Sequence, residues 1–114
     1  MFKTIGKHVP PPAGVVSPAL WGTRTRLEAL FEGTARQIVA NSRHFTFRYR
    51  SPAHFMDVFR TYYGPMNKAF AALEGERQAA LLRDLMALIE SHNRSGDATV
   101  VLPSEYLEAV VVRS

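Results

Sequence analysis

Apolar side chains recur at helical spacing from Phe55 to Phe70, at Phe55, Val58, Phe59, Tyr62, Tyr63, Met66 and Phe70, with Asp57, Arg60, Asn67 and Lys68 on the opposite face. Gly64 and Pro65 interrupt this pattern in its middle. Proline has no N–H and its ring presses on the carbonyl four residues back, here Thr61, so the helix must kink or restart at this point. The pattern predicts either a bent aromatic cover, suited to roofing a small-molecule pocket, or two ordinary core helices joined at a Gly-Pro turn.

Upstream, Phe2, Ile5 and Val9 share a helical face, but no capping Ser, Thr, Asp or Asn precedes them. Pro10, Pro11 and Pro12 enforce extended chain, and Gly14 and Pro18 prolong it as a stiff loop. Val15, Val16, Leu20 and Trp21 are apolar enough that this loop is expected to pack rather than stand in water. Thr23 is a candidate N-cap for a short helix with Leu27, Leu30 and Phe31 facing inward, and Gly33 falls where a left-handed terminator is wanted.

The residues from Arg36 to Arg50 read as a strand. Phe45, Phe47 and Tyr49 alternate with His44, Thr46, Arg48 and Arg50. Ser51 then caps a helix with Pro52 at its first position. A long helix from about Glu76 to about Asn93 carries the stripe Leu81, Leu82, Leu85, Leu88 and Ile89, and Gly96 is expected to terminate it. Thr99 to Leu102 reads as a strand, Pro103 and Ser104 as a turn, and Tyr106 to Val112 as a β-branched run dense enough for a central strand. Two strands do not make an independently stable sheet, so the layer needs a further strand or a second copy of the chain.

At 114 residues the chain has the length of one domain, and residues 1–114 are expected to form a single domain or a fragment of one. Hydrophobic residues at 46% and charged ones at 21% place it among globular sequences. There are no cysteines, which removes disulfides, thiolate metal sites and cysteine nucleophiles. No apolar run is long enough to cross a bilayer and the first residues lack the apolar centre of a secretory signal, so the expectation is a cytoplasmic protein without membrane partners. A net charge of +4 permits polyanion binding without arguing for it.

Few constellations carry chemistry. His54 and Asp57 lie three apart on a helix, but two ligands without a third make no metal site. His8, His44 and His92 have no readable partners and are expected to be solvated or loop residues. No catalytic residue is assigned. The stretch SRHFTFRYR combines aromatics with arginines, the ingredients of a base-stacking surface, but lacks the glycines of the RNA-recognition consensus, so nucleic acid is not the expected partner. For substrate contact the candidates are Arg60, Tyr62 and Tyr63 beside the Gly-Pro bend, with Trp21 as a pocket wall where a loop enters a helix.

The segments FKTIGKHVPPPAG, SPALWGT, FTFRYRS, FRTYYGPMNKAFAAL and VLPSEYLEAV, in this order, resemble the C-terminal portion of class I S-adenosylmethionine-dependent methyltransferases of the small-molecule type. The resemblance spans nearly the whole chain. It implies an α/β fold, the C-terminal part of a Rossmann-like methyltransferase, with an antiparallel strand pair and an inserted helix pair. Met1 to Val9 would follow the fifth strand, Arg36 to Arg50 would be the sixth, Tyr106 to Arg113 the last, and Phe55 to Asn93 the insertion near the substrate opening.

In the family the cofactor half comes first, with a glycine-rich turn after a strand and an acidic residue for the ribose. Here the seven glycines are scattered singly and no G-x-G turn follows a strand. The resemblance therefore implies S-adenosylmethionine for the full-length family and no cofactor for this chain alone. Its implied partners are a small-molecule acceptor and either a second copy or the cofactor-binding half. A non-catalytic module that associates through sheet edges, and a single-stranded nucleic-acid binder, are the alternatives.

Overall fold

A computed structural model describes residues 1–114. The elements in chain order are α1 (Phe2–His8), a short 3-10 turn (Pro18–Gly22), α2 (Arg24–Leu30), β1 (Ala35–Tyr49), α3 (Pro52–Tyr62), α4 (Gly64–Ala71), α5 (Glu76–His92) and β2 (Val100–Arg113). The strands form a two-stranded antiparallel sheet, with α3, α4 and α5 lying between them in sequence. The fold is thus mixed α/β. The chain divides into two compact units, one of Met1–Ala13 with Thr46–Leu102 and the other of Gly14–Phe45 with Pro103–Ser114.

In the first unit, local signals place the helix starts. The Ser51 side chain accepts from the His54 N–H at 3.0 Å, satisfying a donor at the start of α3 that has no partner within the helix. Tyr63 is extended, with φ −86° and ψ 112°, and α4 restarts with Pro65 in its first turn, where the absent N–H costs nothing. The helical pattern of Phe55 to Phe70 is therefore two helices, and with α5 the insertion between the strands holds three. Gly75 adopts φ +51° at the entry to α5, a conformation that a side chain would strain.

The core of this unit gathers Ile5 from α1, Phe55 and Met56 from α3, Met66, Ala69 and Phe70 from α4, Leu73, then Leu81, Leu85 and Ile89 from α5 and Val100 from β2. Phe55 and Phe59 stack with ring centroids 4.2 Å apart, and Tyr49 meets both edge-on. The alternation of β1 thus delivers Phe47 and Tyr49 to α3, Phe47 lying edge-on to Phe59.

A polar knot carries the chain from α5 to β2. Asn93, extended rather than helical, closes α5, and its Oδ1 accepts from the N–H groups of Ser95 and Val101 while Nδ2 donates to the Thr99 carbonyl. Gly96 has φ +72° but sits within this turn, three residues past the cap. It does not terminate the helix as the sequence suggests, because Asn93 supplies that closure with its side chain.

In the second unit, the Thr23 hydroxyl accepts from the Arg26 N–H at 3.3 Å to cap α2, and Gly33 follows α2 with φ +75°. Leu27 is buried but Leu30 is exposed. Val15, Val16, Leu20 and Trp21 are exposed as well, contrary to the expectation from their apolarity, because Leu27 is the one large apolar side chain this unit buries and the loop has no core to enter.

The expected turn at Pro103 and Ser104 is also absent, and β2 runs through it unbroken. In a two-stranded ribbon each strand has a free edge, so a proline lacking N–H is tolerated there. For the same reason Tyr106 to Val112 is not a central strand.

Candidate functional site

Three of the four sequence candidates lie where α3 gives way to α4. Arg60, on the last turn of α3, is engaged in packing. Its guanidinium carbon sits 4.2 Å from the centroid of the Phe70 ring, and its Nη2 donates to Gln78 Oε1 at 3.3 Å. A cation over an aromatic face is an attractive contact even at an accessible position. The Arg60 carbonyl accepts from Asn67 Nδ2 at 3.1 Å, which ties the end of α3 to α4 across the break.

Gln78 is the hub of this arrangement. Its Nε2 donates to the carbonyls of Phe70 at 2.7 Å and Leu73 at 2.8 Å. Carbonyls at the end of a helix lack partners within it, so the amide of one α5 residue closes the end of α4 while its oxygen receives Arg60.

Tyr63 is half-buried, its ring edge-on to Phe59 at 5.3 Å. Tyr62 has the opposite disposition, with 82% of its surface exposed. Of the three, Tyr62 is the side chain left free to meet a ligand, offering a flat apolar ring and a hydroxyl. Trp21, 62% exposed, belongs to the other compact unit.

A separate shallow cleft of about 310 Å³ lies between α1 and α5, lined by Thr4, Lys7, Asp84, Ala87, Leu88 and Ser91. Beside it His8 Nε2 and Asp84 Oδ2 are hydrogen-bonded at 2.6 Å, so His8, expected to be a solvated or loop residue, is the last residue of α1 and joins that helix to α5. The pairing spans 76 positions, a separation at which no local pattern announces a contact. Asp84 is thereby engaged within the chain.

His54 accepts from the Arg50 N–H at 3.3 Å through Nδ1 and packs its ring against Tyr49, which makes it part of the strand-to-helix corner. No group of three or more His, Asp or Glu residues is gathered anywhere in the chain. No helix is long and apolar enough to cross a membrane.

One carboxylate stands out electrostatically. Asp97 Oδ1 accepts from both the hydroxyl and the N–H of Thr99, at 2.5 and 2.7 Å, and these bonds, the hydroxyl first, hold its pKa below the ordinary aspartate value. The cause is local turn geometry. Asp97 works as a clasp within the turn leading to β2.

The strand-to-helix passage that exists, from Tyr49 through Arg50 and Ser51 into α3, contains no glycine, and the positive-φ glycines Gly14, Gly33, Gly75 and Gly96 stand singly at separate turns. No protein-family model matches the chain, and no curated protein matches it.

Proposed function

We propose that the chain is the C-terminal, substrate-side part of a class I S-adenosylmethionine-dependent methyltransferase whose parent activity moves a methyl group to a small organic acceptor. On this reading the chain by itself does not turn over. Methyl transfer is an in-line displacement in which the enzyme's main contribution is to hold donor and acceptor in contact. The donor's cradle belongs to residues outside this chain.

The reading rests on the resemblance of five segments of the sequence to the family. The observation that carries it furthest is the placement of α3, α4 and α5 between two antiparallel strands, with exposed Tyr62 at the break that the resemblance puts near the substrate opening. The nucleic-acid alternative is disfavoured, since Phe47 and Tyr49 pack on α3 instead of facing bases. A self-associating module is favoured by a different feature, a sheet of only two strands with an outer edge on each.

Two measurements test the methyltransferase reading together. The DNA upstream of the coding segment is expected to encode, in frame or as a neighbouring gene, a strand, a glycine-rich turn and a helix followed by an acidic residue. Calorimetric titration of S-adenosylmethionine is expected to give no heat of binding to this chain alone and saturable heat once that half is supplied. Micromolar binding by the isolated chain, or an upstream region encoding nothing of the kind, would overturn it.

A further inference from the structure

The two strands present unequal faces within the second unit. Ser42 donates to Glu105 Oε1 at 2.6 Å, and Arg43 Nη2 donates to Glu108 Oε1 at 3.3 Å. Neighbouring residues on a strand point to opposite faces, so these pairs mark the two sides of the ribbon. On the Ser42 side, Ile38, Ala40, Leu107 and Val111 are half-buried. On the Arg43 side, Val39, Phe45, Tyr106 and Val110 are all exposed, by 41 to 57%. Gln37 and Asn41 lie on the same side and are exposed too, so this face mixes four large apolar side chains with two amides and one ion pair.

We propose that this face is a homodimer interface, in which the ribbons of two copies pack face to face about a two-fold axis. The charge pattern selects the occupant. A two-fold interface brings one patch against itself, so its charges must complement their own rotated image. Arg43 and Glu108, one of each sign on this face, meet that condition, because each can face its opposite on the second copy while keeping its partner on its own.

The exposed face is small, since two paired strands about 5 Å apart make a ribbon roughly 10 Å wide. Such a face lies at or below the low end of specific interfaces, so the dimer is a weak one. The inference is independent of the methyltransferase reading, since it concerns a surface that needs no cofactor-binding half.

Sedimentation equilibrium of the whole chain from about 1 to 200 μM tests it, with circular dichroism confirming that each variant folds. Arg43→Glu alone and Glu108→Arg alone are each expected to weaken self-association at least tenfold, and an equimolar mixture of the two variants is expected to restore it. Tyr106→Lys is a second disrupting substitution at a site already exposed. Arg36→Glu, on the opposite face, is expected to leave association unchanged. A chain that stays monomeric to 200 μM overturns the proposal, and so does association indifferent to the charge reversals, which would place the contact on the strand edges.

Discussion

Replacing Gln78 should loosen the joint between α3, α4 and α5 more than its half-buried, polar character suggests. Its amide donates two short bonds, to Phe70 and Leu73, and its oxygen accepts from Arg60. A hydrogen bond within a protein contributes about 1 kcal/mol net, and one whose loss strands a partly buried carbonyl costs somewhat more. The Phe70 carbonyl also accepts from the Leu73 N–H at 3.2 Å, which softens the loss there. Gln78→Ala is therefore expected to cost about 2 kcal/mol.

With a urea slope of about 2 kcal/mol/M, that loss lowers the unfolding midpoint, followed by helical circular dichroism, by about 1 M. Gln78→Glu sharpens the test. A carboxylate cannot donate to either carbonyl, and its charge is set against both, with only Arg60 in compensation. The folded state then favours the protonated carboxyl, which still donates one bond, so the variant's deficit should shrink as pH falls through the carboxylate range. If both variants keep the parent midpoint within about 0.25 M, or if the Glu deficit does not narrow in acid, the hub role assigned to Gln78 is wrong.

Asp97 has its pKa lowered by Thr99, so the clasp it makes is present above the unfolded aspartate pKa and is lost as pH falls through the lower folded value. In an NMR titration the Thr99 amide shift should respond with a midpoint below about 3.9, and a midpoint at or above that value would refute the clasp. Leu85 is 1% exposed in the centre of the helical core, and Leu85→Ala should cost about 3 kcal/mol in the same urea experiment. Tyr62→Ala should change the midpoint by less than about 0.5 kcal/mol equivalent, since its ring packs on little; a loss as large as that of Leu85 would mean the ring is structural.

Local chemistry was legible in the chain. The caps at Thr23 and Ser51, the break before Pro65 and the leucine stripe of α5 each arise from groups a few residues apart, and each appears where its spacing puts it. What escaped is governed by partners distant in sequence. Arg60 reads as a ligand contact because it is a charge beside a bend, yet Phe70 and Gln78 engage it, and Gln78 lies 18 positions away. Pro103 reads as a turn because prolines break interior strands, and only the number of strands reveals that this one has an edge to spare. The bend itself was thus legible, while the division of labour among its side chains, with Arg60 and Tyr63 packing and Tyr62 exposed, required the tertiary contacts.

The same distinction explains the exposed loop. Apolarity states what a side chain would gain by burial, but the gain is realised only where a core lies within reach. The first unit brings four helices, α1, α3, α4 and α5, to one cluster and buries eleven apolar residues there. The second holds a ribbon, α2 and a 3-10 turn, and buries Leu27. Ordering that much backbone opposes folding whatever the sequence, and the second unit buries little apolar surface in return. A second ribbon against the Arg43 and Glu108 face would add to it. The dimer, if formed, should then protect the amides of β1 and β2 from hydrogen exchange in proportion to protein concentration, whereas the core amides of α5 should exchange at a rate independent of it.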